Sequence, residues 1–121
     1  MDSTKKKNNL ERYLSSYIQL LSELEDRGIS KKKHGWQNQV VFGVILDLNM
    51  IIKTNTLPVP IELPFSGIEE STIDVKGINE FLKRQLSMLS EMEDASEHDL
   101  EQFVQSLSEE LRGQFGGQAL I

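Results

Sequence analysis

Between Leu10 and Leu24 the apolar residues Leu10, Tyr13, Leu14, Tyr17, Ile18, Leu21 and Leu24 recur in steps of three and four. That period lines them along one side of a helix. Asn8 followed three residues on by Glu11 has capping-box spacing, and Gly28 can take the left-handed conformation that ends a helix. Together these signals predict a helix over 9–27, preceded by a basic solvated tail over 1–8.

From Trp36 to Thr54 the pattern changes. Val40, Val41, Val44, Ile45, Leu48, Ile51 and Ile52 keep helical spacing, while Phe42, Leu46 and Met50 fill much of the opposite side. The spacing predicts a helix over 35–54 that is apolar nearly all round, and such a helix belongs in the middle of a bundle. A strand pair competes with it, on the strength of the β-branched residues and of Gly43, which costs about 1 kcal/mol inside a helix relative to Ala. The unbroken helical template and the lack of a hairpin turn dipeptide favour the helix.

Residues 55–67 cannot be helical, because Pro58, Pro60 and Pro64 alternate there with Leu57, Val59, Ile61, Leu63 and Phe65. Five large apolar side chains argue against a solvated linker. The expectation is a long extended connector packed across the bundle, with an exposed apolar patch used for binding as the alternative. A third helix is predicted over 74–93, with Ser71 and Asp74 in capping-box spacing and an apolar face running from Val75 to Met92. The fourth, over 97–112, follows Ser96, places Asp99 at its third position, and ends at Gly113 ahead of a frayed tail over 113–121. Four one-sided faces in 121 residues must bury against one another. The fold class expected is all-α, a single compact bundle of about four helices.

Charge changes this picture more than composition does. Residues 1–60 carry nine Lys or Arg against six Asp or Glu, a balance of +3, whereas residues 61–121 carry four against thirteen, a balance of −9. Eight acidic side chains and no Lys or Arg lie between Glu91 and Glu110. A field of that sign repels nucleic acid and attracts a basic surface. Lys31, Lys32, Lys33 and His34 beside Trp36 make a small footprint for phosphate and read as a solvated turn.

The chain has no cysteine, hence no disulfide and no thiolate zinc site, and a cytoplasmic location is the expectation. Its most apolar stretch, Val40 to Ile52, is too short to span a bilayer and is broken by Asp47 and Asn49. Asp47 itself needs a partner such as a lysine or a tyrosine hydroxyl.

Candidate chemistry is sparse. There are two histidines, His34 and His98, no Gly-x-Ser-x-Gly turn, and no phosphate-loop or dinucleotide glycine pattern. Asp94, Glu97, His98 and Glu101 have the helical spacing of cation ligands but read as an acidic helix start favoured by the macrodipole. The adjacent pairs Glu69–Glu70 and Glu109–Glu110 point apart on a helix and read as solubilising. No enzyme activity, metal or cofactor is expected.

What remains is binding. The leading expectation is a small acidic immunity or inhibitor protein that covers the cleft of a basic toxin, such as a nuclease. Glu91, Glu93, Asp94, Glu97, Asp99 and Glu101 would supply the charge and Phe65 the apolar anchor. The alternative is an adaptor, assembly factor or chaperone that takes a partner helix in an apolar groove. A homodimer through the connector is compatible with either.

Overall fold

A computed structural model gives the architecture as four α-helices in chain order: α1 (Asp2–Asp26), α2 (His34–Thr54), α3 (Val75–Ser90) and α4 (Glu97–Leu111). A π-helical turn, Arg112–Gly116, follows α4 directly. The structure describes residues 2–26, 34–58 and 75–116, and among these there is no strand, so Trp36 to Thr54 lies within a helix and not a strand pair. The predicted connector lies mostly outside the described residues, and Phe65, the candidate anchor, with it.

The helices meet in one hydrophobic cluster. Leu10, Tyr13, Leu14, Tyr17 and Leu21 of α1 enter it at the predicted spacing, α2 adds Val40, Val41, Val44, Leu48 and Ile51, and Phe81 and Leu107 head the contributions of α3 and α4. Each such side chain, fully withdrawn from water, contributes about 1.5–3 kcal/mol of favourable transfer energy. α1 packs chiefly on α3, while α2 packs on α4 and on the π-helical turn.

Three boundaries differ from the sequence reading, each for a visible reason. The helix predicted from residue 9 begins at Asp2, so 1–8 is not a solvated tail: the Lys6 ammonium pairs with Glu97 at 2.6 Å and that of Lys7 donates to the Met92 carbonyl. Asn8 therefore sits inside the helix rather than at its cap. Asn9 is buried, donating from its amide to the carbonyl and side-chain oxygens of Asn55.

The helix predicted over 74–93 stops at Ser90, because Met92 turns back onto the Leu89 carbonyl and Asp94 takes a left-handed backbone, φ 53°. That conformation is incompatible with a continuing right-handed helix and is tolerated by Asp better than by most residues. The expected tail is also partly structured. Gly113 does not terminate α4; the chain widens into the π turn and sets Phe115 edge-on to Phe81, with ring centroids 6.0 Å apart.

α4 itself starts as predicted. The Ser96 hydroxyl accepts from the Asp99 N–H while the Asp99 carboxylate accepts from the Ser96 N–H, a complete capping box. Among the described residues no helix is long and apolar enough to cross a membrane.

Candidate functional site

The acidic run does not behave as one surface. Asp99 is committed to the α4 cap, and the Ser96 backbone and hydroxyl, aided by nearby His98, hold its carboxyl below the usual range. Glu97 is committed to Lys6, the one ion pair among the described residues. Glu91, Glu93 and Asp94 project from the turn between α3 and α4, and Glu101 from the first turns of α4, all four exposed and without an ion-pair partner among the described residues. The fold thus brings the basic start of the chain onto its acidic end, and the charge asymmetry of the sequence is partly neutralised inside the molecule. Among the described residues no three His, Asp or Glu side chains stand together as metal ligands would.

Two acidic side chains of α4, Glu101 and Glu109, border a second feature. A groove of about 410 Å³ runs between α2 and α4, lined on one side by Ile45, Asn49 and Ile52 and on the other by Glu101, Val104, Gln105, Ser108, Glu109 and Arg112. Both walls are helix ridges with members three or four residues apart, the ordinary spacing of a surface into which another helix packs. Their chemistry differs. The α2 wall is mainly apolar, and the α4 wall carries Glu101 and Glu109, with Gln105 reaching toward the Glu109 carboxylate at 3.5 Å.

Beside the groove, α2 carries apolar side chains on its outer face that no described element packs against. Leu46 is 67% exposed and Met50 48%, and with Phe42 they form an i, i+4, i+8 row adjoining Ile45 and Asn49. This corrects the expectation of a helix buried in the middle of a bundle: α2 has neighbours on its inner side and apolar residues left over on its outer one. Ser108 adds a further anomaly, being only 6% exposed with a hydroxyl that has no hydrogen-bond partner among the described residues. A buried hydroxyl in that state costs about 1–3 kcal/mol, which a bonding group entering the groove would offset.

Two other places carry polar side chains. Asp47 accepts a hydrogen bond from the Tyr13 hydroxyl at 2.6 Å, the tyrosine partner its position calls for. Burial first, then this bond and the Asp47 charge, push the Tyr13 hydroxyl far above the ordinary tyrosine range. Burial and Asp47 do the same to Tyr17. The cluster is structural, since Tyr13 and Tyr17 are both shut off from solvent. A shallow depression of about 630 Å³ between α1 and α3 is lined by Arg12, Ser15, Ser16, Gln19 and Ser90 among others. Its walls are mostly exposed and polar, and no unsatisfied buried group lines it.

Sequence reasoning allowed for a helix-binding groove but did not place it between α2 and α4. The available signal was the all-round apolarity of α2, which no four-helix arrangement can bury on every side, together with one serine, Ser108, on the otherwise apolar face of α4. Lys31, Lys32, Lys33, Glu69 and Glu70 lie outside the described residues. Comparison of the chain with protein-family models, with curated proteins and with solved structures returns no match.

Proposed function

We propose that the protein is a non-catalytic binding protein for a basic protein partner, and that it acts as a small cytoplasmic inhibitor of the kind that neutralises a toxin or nuclease domain. The observation that carries this reading is a pair of exposed features: Glu91, Glu93, Asp94 and Glu101 are carboxylates without an ion-pair partner among the described residues, and Leu46 and Met50 are apolar side chains left exposed on α2. Surrounding charge of one sign accelerates encounter and selects partners, while a central apolar contact supplies most of the affinity. The cysteine-free composition suits a reducing compartment.

A second reading, an adaptor, assembly factor or chaperone, is favoured by the helix-walled groove between α2 and α4. The two differ in electrostatics. Affinity capture from the source cells at low and high salt separates them, using the wild-type chain and a variant carrying Glu93→Lys, Asp94→Lys and Glu101→Lys. The inhibitor reading expects a basic protein whose recovery falls with salt and with charge reversal. Recovery of a neutral partner indifferent to both would sink it in favour of the adaptor.

A further inference from the structure

We infer that the element seated in the groove between α2 and α4 is an amphipathic helix of another protein, with an apolar seam flanked by Lys or Arg. This rests on the binding reading above and specifies the partner's chemistry. Both walls are helical ridges, Ile45, Asn49 and Ile52 facing Glu101, Gln105 and Glu109, and a third helix fits such a trough by the packing that joins helices in any bundle. Ile45 to Ile52 spans about 10 Å at 1.5 Å per residue, so about two turns of the partner fill it. An extended strand would find no sheet edge to extend among the described residues.

The charges choose the flanks. Glu101 and Glu109 are exposed on the α4 wall, whereas Glu97, earlier on the same ridge, is already matched by Lys6. Basic side chains on the incoming helix therefore meet two carboxylates, with Arg112 at the end of the ridge. A second copy of this chain is disfavoured by its overall charge, a net −6 meeting another −6, and the self-association arm of the test decides it. Ser108 lines the groove with its hydroxyl buried and unpartnered among the described residues.

Two synthetic helical peptides with the same leucine seam, one flanked by lysine and one by glutamate, test this by titration into the isotope-labelled full chain. The lysine peptide is expected to shift the amide resonances of Ile45, Asn49, Ile52, Val104 and Ser108 saturably, and the glutamate peptide to bind at least about ten-fold more weakly. Reversing Glu101 and Glu109 to lysine should weaken the lysine peptide by about ten-fold, while Glu91→Lys with Glu93→Lys changes it by less than about two-fold.

Resonance shifts centred on the α3–α4 turn or on the α1–α3 depression would overturn the inference, as would no saturable shift at all. So would a doubling of mass in sedimentation with the same groove residues shifting as the chain alone is concentrated. Any of these results leaves the salt-sensitive capture of a basic partner standing, so the two proposals fail separately.

Discussion

Asp47 lies in the middle of the most apolar stretch of the chain, and the Tyr13 hydroxyl meets it at 2.6 Å. Tyr13→Phe removes the donor and keeps the ring, leaving a partly buried carboxylate short of a bond worth about 2 kcal/mol. The same cluster makes stability depend on alkaline pH. Tyr13 and Tyr17 are held far above their ordinary range, so both stay neutral in the fold and ionise once unfolded. Their contribution is complete below pH about 10 and declines as pH rises beyond it, by about 1.4 kcal/mol per unit for each tyrosine. Tyrosinate absorbance and loss of helical circular dichroism should therefore rise together. Ionisation of both tyrosines with the helices intact would contradict the burial that causes the shift. The need for a partner at Asp47 was legible in the sequence; which tyrosine would supply it was not, since that depends on the register of α1 against α2.

Among the elements, α1 and α2 show what periodicity reports and what it leaves open. The apolar steps of α1 predicted its core face, but its first turns contain no apolar residue to count and are held instead by Lys6 and Lys7, contacts with residues about ninety positions away. A remote charge pair leaves no local pattern. In α2 the helical period survived, but an all-apolar helix does not announce which side its neighbours take. Substitution separates the two sides: Leu48→Ala, at a fully buried position, should cost about 2–5 kcal/mol in chemical denaturation. Leu46→Ser, on the uncovered side, should change stability by less than about 0.5 kcal/mol. The groove inherits this problem, because it is defined by what α2 fails to bury.

At the scale of the whole molecule, opposite charges from the two ends of the chain come together where the start of α1 meets the α3–α4 turn. Replacing Lys5, Lys6 and Lys7 by glutamine removes that countercharge from a chain already at −6. The variant should lose about 1–2 kcal/mol at low ionic strength and recover much of it in salt, which screens the exposed carboxylates. A loss that salt leaves unchanged would mean the lysines act through their packing instead.

The preference of α1 for α3 over α2 has a further consequence during synthesis. As the chain leaves the ribosome, Leu10, Leu14 and Leu21 emerge well before their main partner, since α2 and then Val75–Ser90 must be made before α1 and α3 can close. Until then the apolar side of α1 is open to water and to whatever binds nascent chains. Because such distant contacts form only after a long loop is closed, folding of this helical protein is paced by how soon its third helix arrives, and less by how fast any one helix winds.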